Sequence, residues 1–130
     1  MTALAGIVIA VLAILGVLRR RYVVATVDGV SMMPTFMPGD RLLVRRVGIR
    51  QVRRGQIVVV RDPAGPSAWV VKRVAAVHGD PPGRLYVLGD NTEDSRDSRH
   101  YGHLTAGALL GVVRRSYPRR KENQNHARSH

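Results

Sequence analysis

Residues 2–18, TALAGIVIAVLAILGVL, form an apolar run with no charged position on any side of a helix. At about 1.5 Å per residue such a run just spans a thin hydrocarbon core, and the basic and aromatic RRRY that follows predicts an interfacial anchor. A cleavable signal peptide fits less well, because no Lys or Arg precedes the run and no small-x-small site closes it before Arg19. A buried helix of a soluble domain is the other alternative, against which the uninterrupted apolar character on all faces argues for lipid.

Past the anchor the period shortens. YVVATVD (22–28), RLLVRR (41–46), QIVVVR (56–61), WVVKRVAAV (69–77), RLYVLG (84–89) and ALLGVVRR (108–115) are short and rich in Val, Leu and aromatic residues. Gly- and Pro-containing turns separate them, as in PGD at 38–40, RRG at 53–55, DPAGPS at 62–67 and HGDPPG at 78–83. This pattern predicts a mostly β, antiparallel domain behind a single transmembrane helix. The expected organisation is an anchor with its basic flank at 1–22, a β domain at 23–115 and a disordered basic tail at 116–130, which has no hydrophobic periodicity.

Composition narrows the function. The formal net charge is +12, and 19 of the 21 basic residues are Arg. That excess fits nucleic acid or an anionic membrane surface. The arginines are spread over every segment rather than gathered on one helix, which favours membrane lipid as the partner and no nucleic acid. Without cysteine there is neither a disulfide framework nor a thiolate metal site.

The two lysines are therefore conspicuous. Lys121 lies in the tail, whereas Lys72 lies inside a strand pattern that puts it on one face with Val70 and Val74, and Arg73 on the other with Val71 and Trp69. A desolvated lysine can lose its proton near neutrality and serve as a base, which arginine cannot. Such a lysine also fits an edge strand from which the ammonium reaches water. Ser31, in VDGVSMMPTFMPGD (27–40), is open to two readings, a turn residue or a nucleophile awaiting a base. GDNTEDSRDSRHYG (89–102) gathers Asp90, Ser95, Asp97 and Arg99; either aspartate can pair with Arg99, and Ser95 can hold a base in position. Read alone, this last stretch is equally a polar loop with helix-capping residues.

SMMPT, VVKRVAAVHGD and GDNTEDSRDSRHYG, in this order and with VRRGQIVVVRDP between the first two, resemble the boxes of type I signal peptidases over residues 27–104. The resemblance implies that Ser31 is the nucleophile, Lys72 the general base, Ser95 the residue orienting the lysine, and Asp97 with Arg99 a structural ion pair. Asp90 falls on the first aspartate of its box. It implies a pre-protein or leader peptide as substrate and a domain on the outer face of the membrane; no cofactor is expected, and no metal either, since His-Glu-x-x-His is absent and the histidines are scattered among turns. Arg19, Arg20 and Arg21 oppose that orientation under the positive-inside rule.

The chain departs from the family pattern in several places. Gly29 stands where some members carry a Ser of the oxyanion hole, leaving backbone N–H groups for that task. His78 replaces a usual Pro, Thr92 a usual Arg, and PPGRLYVL stands in for a large insertion. So short a form also fits a dedicated maturation protease for one leader, such as the related processing enzyme of nickel superoxide dismutase. A Ser-His-Asp hydrolase would need His78, His100 or His103 as base, but Met33 occupies the second Gly of the Gly-x-Ser-x-Gly elbow.

Overall fold

The computed structural model describes residues 2–119. Helix α1 (Thr2–Arg21) has no buried residue and, up to its last turn, is apolar enough to cross a membrane. Its 20 residues reach about 30 Å, the thickness of a bilayer's hydrocarbon core. Arg19, Arg20 and Arg21 form its last turn, where cations complement the helix dipole and meet headgroups.

The rest is one antiparallel sheet. Its strands are β1 (Tyr22–Thr26), β2 (Arg41–Arg46), β3 (Ile57–Asp62), β4 (Gly65–His78), β5 (Arg84–Leu88), β6 (Leu104–Thr105) and β7 (Leu109–Tyr117), in the order β1-β2-β7-β3-β4-β5-β6. A four-residue helix, α2 (Ser98–Tyr101), precedes β6. The expected mostly β, antiparallel fold behind one apolar helix is what forms.

The uninterrupted valines of β3 are explained by its central place. Val58 and Val60 point into a core with Val74, Leu85, Val87, Leu104 and Val112, whereas Val59 points into a second core with Val27, Met32, Phe36, Leu42, Val44 and Val71. A strand covered on both faces reads as a continuous apolar run rather than an alternating one. Lys72 lies opposite Val58 in the β3–β4 ladder, on the face of Val70 and Val74, as the alternation predicts.

Several boundaries differ from expectation. β4 begins at Gly65, which shortens the turn after β3 to Pro63–Ala64. β7 continues through Ser116 and Tyr117, opposite Leu42 and Arg41; a ladder needs only backbone groups, so it runs on after the apolar pattern stops. Ser116 and Tyr117 thus belong to the sheet, Pro118 and Arg119 follow it with the Arg119 N–H bonded to Asp40, and only the part of the expected disordered tail from 120 onward lies outside the described residues.

Besides the outer edge of the two-residue β6, two longer strand edges stay open among the described residues. β1 pairs only with β2, and β4 meets β5 only from Arg73 onward, so its flank from Gly65 to Lys72 has β3 alone as a neighbour. Side chains of both strands, Val23 and Ala25 from β1 and Val71 from β4, enter the same core.

Candidate active site

Lys72 is 3% exposed. Its Nζ donates to Ser95 Oγ at 3.1 Å, and Ser95 Oγ in turn donates to Asp97 Oδ2 at 2.9 Å. Asp97 is fully buried and also accepts from Gly89 N–H at 3.0 Å and from the Arg99 guanidinium, Nε to Oδ1 at 2.9 Å and Nη2 to Oδ2 at 3.0 Å. Arg99 Nη2 further donates to the Thr92 carbonyl at 2.9 Å. Asp97 is at the same time the N-cap of α2, in a capping box with His100. One carboxylate therefore fixes the loop, starts the helix and orients the serine that holds the lysine.

The electrostatics follow from burial. Desolvation lowers the Lys72 pKa, and Arg99 lowers it further; the carboxylates of Asp97 and Asp62 pull the other way without restoring it. Burial alone would raise the Asp97 pKa, but the hydrogen bonds from Arg99, Gly89 and Ser95 outweigh it and hold the carboxyl well below the usual range. Asp97 thus stays ionised while Lys72 is pushed towards the neutral amine.

Ser31 stands on the other side of Gly89. Its carbonyl accepts the Asn91 N–H at 2.8 Å, and Asn91 Nδ2 donates to the Val30 carbonyl at 3.0 Å. A Cβ on Gly89 would collide with Ser95 Oγ and Cβ and with the Ser31 carbonyl oxygen. Only glycine lets the backbone of the Ser31 turn approach the serine that holds Lys72. Met32, beside Ser31, is 1% exposed and anchors the turn in the core. Gly29 has φ +85° and open space around its Cα.

Asp90 is placed differently from the pairing with Arg99 expected as one option. It forms a two-pronged pair with Arg73, Nε to Oδ1 and Nη2 to Oδ2, each 2.8 Å, and accepts from Thr35 Oγ1. Because Arg73 pairs with Leu88 across the β4–β5 ladder, its side chain lies beside the residues that leave β5, whereas Arg99 is taken by Asp97. Those Arg73 bonds hold the Asp90 pKa low, against a smaller effect of burial. Arg73, Thr35 and Asn91 were not among the expected site residues. Their signal was present: Arg73 neighbours Lys72, Thr35 ends SMMPT and Asn91 completes GDN.

Among the described residues, the histidines make no hydrogen bond to Ser31 or Lys72. His78 and His103 meet edge to face with ring centroids 4.9 Å apart, His103 also meets Tyr86, and His100 Nδ1 accepts the Asp97 N–H.

The family described as "Signal peptidase, peptidase S26" matches residues 1–80 and 81–117. The chain belongs to the signal peptidase family. Among similar proteins, the mitochondrial ATP-independent inner membrane protease subunit 1b of Arabidopsis thaliana is 37% identical over 107 residues, covering 65% of this chain and 63% of the plant protein. Mitochondrial inner membrane protease subunit 2 of Danio rerio is 33% identical over 127 residues, covering 82% and 69%, and that of Mus musculus is 33% identical over 125 residues, covering 80% and 71%. The chain thus spans somewhat under two thirds of the Arabidopsis protein and slightly more of the other two. As a signal peptidase family member with an exposed apolar helix, it is a membrane-associated protein of the protease class. The resemblance carried by SMMPT, KRV and GDN leads to the same family.

Proposed function

We propose that this chain is a membrane-anchored serine endopeptidase that removes leader peptides from exported precursors, with Ser31 as nucleophile and Lys72 as general base. The observation that carries the reading is the buried Lys72 amine held by Ser95 Oγ, itself held by an ionised Asp97. A lysine in that setting has a lowered pKa and a fixed direction, the two properties a base needs.

In this mechanism neutral Lys72 takes the proton of Ser31 Oγ as the oxygen attacks the scissile carbonyl. The ammonium then returns the proton to the leaving amine, giving an acyl-enzyme, and a water attacks the ester by the same proton path. With Gly29 lacking a hydroxyl, the Ser31 N–H and neighbouring backbone donors stabilise the oxyanion. The open flanks of β1 and β4, which share one core, support binding of the leader as an added strand. Ser95, Asp97 and Arg99 position the base, and Asp90 with Arg73 and Thr35 ties the Ser31 turn to the sheet.

The domain works at the outer face of the membrane, next to leaders spanning the same bilayer. External protease added to intact spheroplasts should remove residues beyond Tyr22. Protection until lysis would put the domain in the cytoplasm, as the three arginines after the span would favour.

The test of the reaction is cleavage of a leader-bearing precursor. Ser31→Ala, Lys72→Ala and Lys72→Arg each abolish it, the last because a guanidinium stays charged. Retained activity in Lys72→Arg would overturn the general-base role. The number of precursors that accumulate in cells lacking the enzyme separates a general signal peptidase from a protease dedicated to one leader.

A further inference from the structure

The turn that carries Ser31 is one part of a loop over residues 28–38, whose two ends meet at a clasp. Val27 N–H donates to the Asp40 carbonyl at 2.8 Å, and Gly39 N–H donates to the Val27 carbonyl at 2.8 Å. The Asp40 side chain, in a residue only 7% exposed, closes the clasp: Oδ2 accepts the Met37 N–H at 2.9 Å. Its other oxygen, Oδ1, accepts the backbone N–H of Arg119 at 3.0 Å, from a segment 79 residues away in sequence. The aliphatic stem of Arg119 lies over Gly39, and the preceding Tyr117 is paired with Arg41.

We infer that Tyr117–Arg119 is a strap that positions the Ser31 loop through Asp40. The inference rests on the reading of Ser31 as nucleophile. A nearly buried carboxylate needs a donor for each oxygen. With both donors present Asp40 is held in one orientation, and its charge-assisted bond to Met37 fixes the returning limb of the loop. Without the strap, Oδ1 turns to water and the Met37 bond loosens. The far side of the loop is held independently by Asn91 and by Thr35 on Asp90, so losing the strap shifts the loop rather than unfolding it. Asp40 is a positioning residue in this scheme, and residues 117–119 work as part of the site's scaffold.

The donor is a backbone N–H, which gives a clean test. Arg119→Pro removes it, whereas Arg119→Ala keeps it and trims only the side chain. In the full chain in detergent micelles, cleaving a leader-bearing precursor, Arg119→Pro should lower kcat about tenfold with KM within about twofold, as expected for a misplaced nucleophile. Arg119→Ala should stay within about threefold of the unaltered chain on the same scale. Amide exchange should quicken in peptides covering residues 27–40 of Arg119→Pro and not in β3 or β4. Equal losses in the two variants, unaltered kcat and exchange in Arg119→Pro, or faster exchange throughout the sheet would each overturn the strap. Should Ser31→Ala still cleave, the nucleophile assignment fails, and the exchange comparison still decides whether the strap holds the loop.

Discussion

Lys72 Nζ and Ser95 Oγ meet at 3.1 Å in the interior of the protein, although they lie 23 residues apart and on different elements. β4 supplies the lysine from a face otherwise lined by valines, and the loop before α2 supplies the serine. An amine so placed has one oriented partner and little water, so it is aimed and easily deprotonated at once. Neither property follows from the lysine alone.

Removing the partner separates aim from basicity. Ser95→Ala leaves Lys72 buried but free to rotate, so kcat should fall by roughly 10–100-fold while KM stays nearly constant. Steady-state kinetics on a precursor peptide check this; a rise in KM at constant kcat would assign Ser95 to substrate binding instead.

Gly89 is predicted to be intolerant for a reason independent of its own turn. Gly89→Ala drives a methyl into Ser95 and the Ser31 carbonyl, which should cost about 1–3 kcal/mol of stability. The loss of activity should be larger than that destabilisation explains, because both displaced groups belong to the site. Denaturant melts together with kcat measured well below the unfolding midpoint make the comparison.

Arg99 is the main counter-charge of Asp97. Arg99→Ala leaves a buried carboxylate without its strongest donor and should destabilise the fold at neutral pH. The sign with pH is fixed by the lowered Asp97 pKa in the intact protein. There, ionised Asp97 contributes stability that is present above the ordinary aspartate value of 3.8 and lost as pH falls through the depressed folded value. In the variant the part supplied by the guanidinium is already missing, while the Gly89 and Ser95 bonds remain, so the gap between the two proteins should narrow as the medium is acidified. Urea melts at neutral and acid pH test it; a gap independent of pH would mean that Arg99 acts through packing alone.

Much of this arrangement was legible in the chain. Alternation in WVVKRVAAV set Lys72 apart from Arg73, and SMMPT, KRV and GDN named the segments that converge. The partner of Asp90 was not legible, because it depends on the β4–β5 register that sets Arg73 opposite Leu88. α2 has four residues and β6 two, too few for any period to show. The last residues of β7 are polar and mostly exposed, so their pairing with β2 is carried by backbone groups that side-chain pattern does not report. For the same reason the strap on Asp40 was invisible in the sequence.

The central claim is that Lys72 is a neutral, buried amine at working pH, and the chain's composition makes it directly measurable. Only Lys72 and Lys121 carry an ε-amine. In protein labelled with carbon-13 at the lysine ε-carbon, two side-chain signals titrate. One signal should move well below the ordinary lysine value of 10.5 and vanish in Lys72→Arg, and the precursor-cleavage rate should rise with pH through that same midpoint. Two signals that both titrate at the ordinary value would contradict the account.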